Sequence, residues 1–378
     1  MPNLANNRKR ASVKVLVALS GGVDSSVATA LLKKQGYSVE AAYMRCWSSG
    51  PYCSTEKDQA DAARVAAQLG IPFHVFDFEN EYKEKVIGYF FAESERGRTP
   101  NPDVMCNQEI KFGLFLKKAI QLGFDYIATG HYARIKKDID GNHLLAGLDS
   151  NKDQSLEQYH LLAGADPEKD QSYFLYRLGQ DQLSRTFFPI GDLTKQEVRK
   201  IASDLNLPTA NKPDSTGICF VGPAKVKDFL SQNIKYKHGN VVSTEGKVLG
   251  RHSGLPFYTI GQREGIGISA SIPHYVTEKN IKTNTLVVAP LGHEALFKRK
   301  FIAADINWIE GKEPNYPFEA EIKLRYRAQN VKAQFKKVNG SIEVLLENPQ
   351  RAITPGQAAV IYKGEEVLGG AVIDKTLN

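Results

Sequence analysis

From residue 14 the chain alternates short apolar runs with helical stretches, and this alternation limits the folds open to it more than any other feature. KVLVALS is rich in β-branched residues and leads through Gly-Gly into SSVATALLKKQG. SVEAAYMR, DQADAARVAAQLG and PFHVFDF follow as strand, helix and strand. EYKEKVIGYFFAESERG and QEIKFGLFLKKAIQLG read as amphipathic helices on either side of a Pro-rich loop, FDYIATGHYARI as a fourth strand, and TKQEVRKIASDLNL as a further helix. Such a pattern predicts an α/β, doubly wound parallel sheet covered on both faces. Past the loop PTANKPDSTG the texture changes to Gly-punctuated β-like runs. From about residue 285 alternating segments (FEAEIKLRYRAQ, VKAQFKKV, SIEVLLE, AAVIYKG, EEVLGGAVI) predict a small antiparallel β-barrel. At 378 residues several domains are expected, and the reading is 1–217, 218–284 and 285–378.

Bulk properties exclude some classes. No apolar run reaches the roughly 18 residues of a membrane span. MPNLANNRKRASVK is polar and lacks the apolar stretch of a secretory signal, so a cytoplasmic location is expected. A net charge of +7 leans towards a polyanionic partner. Four cysteines without a CxxC pair argue against a disulfide scaffold and a zinc knuckle. One segment occurs twice: HLLAGLDSNKDQS returns as HLLAGADPEKDQS, which reads as a local duplication in a surface hairpin.

ALSGGVDSS lies where the first strand meets the first helix. Ala18 and Leu19 end the strand, Gly21 and Gly22 let the backbone turn close to a ligand, and Ser20, Ser25 and Ser26 add hydroxyls. Val23 lies in the same loop, and the helix that follows offers free N–H groups that favour an anion. There is neither a Walker Lys nor a GxGxxG here. Asp24 suits bound Mg²⁺ better than bare phosphate, which it would repel.

SGGVDSS resembles the signature of the PP-loop ATP pyrophosphatases. With TPNPDVMCNQEIKF, ATGHYAR, KDQSYFLY, DSTGICF and TPGQAAV in that order, nearly the whole chain resembles the tRNA-specific 2-thiouridylases. The resemblance implies a PP-loop sheet, a small central domain and a tRNA-binding barrel. It also implies use of ATP with Mg²⁺, and exchange of the C2 oxygen of the wobble uridine of tRNA for sulfur. Sulfur would come from a donor protein, either a cysteine desulfurase or a relay protein. By the same resemblance Cys219 carries a persulfide, Cys106 is the nucleophile, the pair closes as a disulfide, and Asp103 is the general acid/base. Met44 and Gly130 join the loop from Ala18 to Ser25 in holding ATP. Asn101, Pro102 and Asp103 meet the extruded base; His131, Lys169, Asp170, Gln171, Arg325, Tyr326 and Gln357 contact tRNA.

Read from the residues alone, Asp103 is placed in a turn, and Cys106 just ahead of a helix that lowers its pKa. Cys46 and Cys53 read as packing. The copy at Lys169–Gln171 carries the full KDQSYFLY match, so it is preferred over Lys152–Gln154. LRYRAQ reads as a strand with an aromatic between two cations, suited to a nucleic-acid backbone. Two other readings stay open: a PP-loop ligase that uses ammonia, and a non-catalytic RNA-binding protein.

Overall fold

The computed structural model describes residues 10–48, 55–138, 157–214 and 226–377. Cys53, the copy at Lys152–Gln154 and Cys219 lie outside the described residues. The first layer is a five-stranded sheet of β1 (Lys14–Ala18), β2 (Ser38–Arg45), β3 (Phe73–Asp77), β4 (Tyr126–Ala128) and β7 (Thr186–Phe187). Its order is β3-β2-β1-β4-β7, and every pairing is parallel. Val15, Leu16 and Val17 have no exposed surface. A strand covered on both faces is written as an unbroken apolar run, which is why β1 is legible. Strand order reverses between β1 and β4, and at such a reversal the carboxyl ends of the strands open a crevice.

The fourth strand departs from its sequence reading. FDYIATGHYARI is two strands in two sheets: β4 stops at Ala128, and β5 (Ala133–Lys137) pairs antiparallel with β6 (Tyr159–Ala163). Thr129, His131, Tyr132 and Ala133 are all buried, so the side-chain alternation of one continuous strand cannot run through them.

A four-stranded sheet follows, formed by β8 (Gly239–Ser243), β9 (Val248–His252), β10 (His274–Asn280) and β11 (Thr285–Pro290) in the order β10-β11-β8-β9. The last unit contains β12 (Phe297–Trp308), β13 (Phe318–Lys323), β14 (Val331–Val338), β15 (Ser341–Arg351), β16 (Ala358–Lys363) and β17 (Glu366–Leu377). Pairings β12-β15-β14-β13-β16-β17 and back to β12 close a six-stranded antiparallel barrel around Phe301, Phe335, Val344 and Ile373. LRYRAQ is not a strand, because β13 ends at Lys323 and Arg325–Arg327 form a turn in which Arg327 takes a positive φ of 63°. Among the described residues no helix is long and apolar enough to cross a membrane.

The barrel grips the first domain by a shared edge. Glu366 and Val367 of β17 pair with Leu162 and Leu161 of β6 before β17 moves on to β12. A single apolar cluster accordingly runs from Leu16 and Phe115 through Tyr173 and Tyr176 to Val360 and Val367. Residues 160–163 of the duplicated segment's second copy therefore lie in the strand that joins the first domain to the barrel at β17. His160 pins this seam, with Nδ1 2.6 Å from Glu366 and Nε2 3.1 Å from Asp138. Burial pushes its pKa down, but the hydrogen bonds to Glu366 and Asp138 outweigh it and leave it raised above 6.5. A raised folded-state pKa stabilises fully below the unfolded value and is lost as pH rises through the folded one. His160→Gln should therefore cost about 1 kcal/mol near pH 5.5, and the gap to the parent should shrink as pH climbs above the raised pKa. Urea melts at several pH values would read this; a gap that widens with pH would contradict it.

Candidate active site between the nucleotide loop and the barrel

The loop after β1 forms a cradle. Leu19 N–H donates to Ala42 carbonyl at 2.9 Å, which carries β1 to the turn. Gly21 has φ +74°, and a Cβ there would lie 2.2 Å from the Asp58 carbonyl oxygen. Gly22 precedes helix α1 (Val23–Lys34) in extended conformation, and no side chain caps that end. The α1 N-terminus thus keeps its N–H groups and positive dipole end for an anion. Ser26 Oγ donates to Gly22 carbonyl at 2.7 Å, and Ser20 N–H donates to Ser25 Oγ at 3.2 Å, which sets the turn. Gly130, just past β4, rests on this helix start: a Cβ would lie 2.5 Å from Ser25 N and 2.7 Å from Asp24 C. Met44, at the end of β2, is half-buried against the large apolar cluster.

Acids and cations alternate beside the cradle. Asp24 accepts from Lys195 Nζ at 2.7 and 2.9 Å and from the Tyr132 hydroxyl at 2.8 Å. Asp214 takes Lys169 at 2.6 Å, Lys195 at 2.8 Å and Arg199 at 2.7 Å. Burial would raise the Asp214 pKa, but Lys169 and Lys195 hold it well below the usual carboxylate range. Lys212 Nζ bridges Asp58, Asp61 and the Gly21 carbonyl. Sequence reasoning missed Lys195, Arg199, Lys212 and Asp214. One signal was available for Lys195: it opens a helix behind the Thr194 cap, where a cation opposes the helix dipole.

On the other wall the helix begins earlier than the sequence reading placed it. Asn101 is its cap, its side chain accepting from Val104 N–H at 3.4 Å, and Pro102 takes the first position. Asp103 therefore lies in the first turn of a helix rather than in a loop. Cys106 is at the fifth helical position, its N–H bonded to Pro102 and Asp103 carbonyls. The proposed pKa lowering at a free helix N-terminus loses its basis, since Cys106 lies a full turn inside. The gain is geometric: residues three apart share a helix face, so Asp103 and Cys106 stand one above the other. Cys106 is 8% exposed. Burial raises the Asp103 pKa above the ordinary carboxylate value, against the pull of Lys111. Lys111 Nζ is 3.4 Å from His131 Nε2, and His131 Nδ1 is 2.7 Å from Thr129 Oγ1. Burial and Lys111 hold the His131 pKa well down, so the ring is neutral.

The remaining motifs converge here. Thr99 N–H donates to Pro355 carbonyl at 2.9 Å, and Gln357 Nε2 to Thr99 carbonyl at 2.8 Å, so the TPG turn clamps the TPNPD loop. Asn107 Nδ2 donates to Phe174 carbonyl at 3.1 Å, and the Phe174 ring lies 4.7 Å from that of Tyr326. Gln171 pairs with Tyr132 through both backbone groups of the latter, at 2.8 and 3.0 Å. Asp170 is 6% exposed; it accepts from Gly164 and Ser172 N–H at 3.0 Å and from Lys323 at 3.3 Å. Arg325 Nη2 donates to Ala352 carbonyl at 2.7 Å and Ile260 carbonyl at 3.2 Å, tying barrel to central sheet.

Three family models match in succession: tRNA methyl transferase HUP domain at 13–223, tRNA methyl transferase PRC-barrel domain at 227–290 and Aminomethyltransferase beta-barrel domain at 298–373. The chain is 46% identical over 375 residues to the tRNA-specific 2-thiouridylase MnmA of Shouchella clausii, covering 97% of this chain and 98% of that protein. To the tRNA-specific 2-thiouridylase MnmA of Hydrogenovibrio crunogenus it is 44% identical over 379 residues, covering 97% and 96%. The chain belongs to the tRNA-specific 2-thiouridylases. Among the described residues, the motifs SGGVDSS, TPNPDVMCNQEIKF, ATGHYAR, KDQSYFLY and TPGQAAV are linked by the contacts just described. Because Gly130 touches backbone of α1 rather than a movable side chain, Gly130→Ala must push the cradle apart. ATP affinity should fall at least about tenfold, corresponding to ~1.4 kcal/mol, in equilibrium nucleotide binding; unchanged affinity would remove Gly130 from the site.

Proposed function

We propose that this thiouridylase replaces the C2 oxygen of the wobble uridine of tRNA with sulfur at the cleft between α1 and the Asp103–Cys106 helix. The observation that supports this most is the connection of that helix, through Lys111 and His131, to Gly130 on the nucleotide cradle. That chain of contacts supports reading Asp103, Cys106 and the cradle as parts of one site.

In the first half-reaction the uridine O2 attacks the α-phosphorus of ATP. The O–P bond forms, the bond to pyrophosphate breaks, and Asp103 accepts the N3 proton. The loop from Ala18 to Ser25, with Met44 and Gly130, holds the nucleotide. Asp24 offers the hard carboxylate oxygens that Mg²⁺ prefers beside phosphates, and Mg²⁺, when bound, neutralises triphosphate charge. In the second half the terminal sulfur of a Cys219 persulfide reaches C2 and AMP leaves. Cys106 thiolate attacks the Cys219 sulfur, either before or after the C2–S bond forms. The sulfane sulfur is reduced by two electrons, the two thiols end as a disulfide, and Asp103 returns the proton to N3. An external dithiol reopens the disulfide, and a cysteine desulfurase or relay protein reloads Cys219.

Asn101, Pro102 and Asp103 border the extruded base. Lys169, Arg325 and Tyr326 form the tRNA side, while the buried His131 and Asp170, with Gln171 and Gln357, hold the segments that meet it. The working division is a catalytic domain at 1–217, a central domain at 218–284 and an RNA-binding barrel at 285–378, acting in the cytoplasm.

Cys106→Ser and Cys219→Ser should each lower tRNA thiolation by at least about 10³-fold, with tRNA Kd within about threefold of the parent. Mass analysis of nucleosides and a filter-binding titration read the two quantities. Thiolation surviving in both variants would point to a different nucleophile.

Asp103 must be ionised to take the N3 proton, so single-turnover adenylation should decline as pH falls through its raised pKa. That limb should lie above the ordinary carboxylate range, and Asp103→Asn should abolish it along with most of the rate. A parent profile flat through this region would exclude Asp103 as the base.

A further inference from the structure

Lys111 stands out among the cations of the cleft. Lys169, Lys195, Arg199 and Lys212 each hold a carboxylate within 2.8 Å. Lys111 has no carboxylate within 4 Å among the described residues, and its one recorded hydrogen-bond neighbour is His131. An ammonium can only donate, so His131 Nε2 presents its lone pair and Nδ1–H points at Thr129 Oγ1. That imidazole is 7% exposed and wedged between the Phe112 and Phe188 rings at 5.7 and 6.0 Å. A neutral, fixed acceptor orients the ammonium without cancelling its charge.

Position gives this charge a use. Lys111 lies five residues after Cys106 on the helix that carries Asp103, and its charge reaches Asp103. His131 directly follows Gly130, which sits against Ser25 at the start of α1. The ammonium is thus linked through His131 to the cradle and through its charge to Asp103, and on the reading above the α-phosphorus and the uridine O2 meet between these two. A positive side chain that is half-buried and without a carboxylate counter-ion costs stability in the free protein. A bound anion would supply the missing partner.

We propose that Lys111 is a catalytic residue of the adenylation step, donating hydrogen bonds to the non-bridging α-phosphate oxygens as the uridine O2 attacks phosphorus. It remains protonated throughout; its role is to offset the negative charge that builds on these oxygens while pyrophosphate departs, and again on the phosphate, O2 now included, while the C2–O2 bond breaks and AMP departs. This rests on the reading of the Asp103–Cys106 cleft given above.

The test uses the full-length enzyme with cognate tRNA and ATP, reading tRNA-dependent pyrophosphate release in a single turnover. Lys111→Met should slow that release about 100-fold or more, with Kd for ATP and for tRNA within about threefold of the parent. Lys111→Arg, which keeps the charge but not the shape, should recover at least about tenfold of the loss. Circular dichroism and the two binding titrations report folding separately. Pyrophosphate release at the parent rate in Lys111→Met would overturn the proposal, as would a loss explained entirely by weaker ATP or tRNA binding. Equal rates for the Met and Arg variants would do the same, because the charge would then be irrelevant. Cys106→Ser thiolating tRNA normally would sink the reading of the cleft and leave this readout, which precedes sulfur transfer, untouched.

Discussion

Tyr132 is the joint on which the site depends. Its hydroxyl donates to Asp24 at the start of α1, while its backbone N–H and carbonyl both pair with Gln171. One residue thus connects the nucleotide cradle, the KDQS turn and, through Ala133, the first strand of the barrel-side hairpin. Burial and the Asp24 carboxylate push its phenol pKa far up, so the hydroxyl stays a donor at any physiological pH. A Phe in its place would keep the packing and leave Asp24 held by Lys195 alone among the described residues. The side chain is 2% exposed, so no water can readily stand in for the hydroxyl.

The electrostatics divide the cleft into two halves. On the cradle side, cations and acids interlock: Lys195 spans Asp24 and Asp214, and Lys212 spans Asp58 and Asp61. These groups are satisfied before a ligand arrives, so they shape the loop at little desolvation cost and can re-pair when triphosphate and Mg²⁺ enter. On the base side, a buried acid with a raised pKa feels the charge of Lys111, which has no carboxylate within 4 Å among the described residues. A half left uncompensated in the free protein gains most from a charged reaction intermediate.

How much of this was legible depended on the kind of feature. Strand β1 could be read because a doubly covered strand is a contiguous apolar run. Strand β7, with only Thr186 and Phe187, carries no pattern to read. Strand β12 escaped notice because register shifts break its alternation between Lys298 and Lys300 and again after Ala304. The site motifs were recognisable, yet the turn at Arg325 and the position of Cys106 inside a helix were not. The first is decided by tertiary partners, the carbonyls of residues 260 and 352; the second was written locally, since Asn101 as cap and Pro102 at the first position are helix-start signals that a Pro-rich-loop reading passes over. Lys111 was invisible for a related reason, since IKF on an amphipathic helix looks the same whether its lysine meets solvent or His131.

The clamp of Pro355 and Gln357 on Thr99 gives the barrel a part in shaping the wall opposite the α1 cradle. The TPNPD loop has Pro100 and Pro102, so few of its backbone groups can be satisfied within the loop itself. Gln357 and Pro355 supply partners for Thr99 from the barrel, and a Cβ at Gly356 would strike Thr99 N at 2.8 Å. Pro102 is thereby delivered to the first position of the helix, and Asp103 and Cys106 follow with fixed faces. Without the barrel the acid and thiol would sit on a frayed helix end, where neither burial of Asp103 nor its separation from Cys106 could be maintained. The barrel thus helps hold the wall that carries Asp103 and Cys106, the proposed acid and thiol, and domains that look separable by sequence texture form one packed unit.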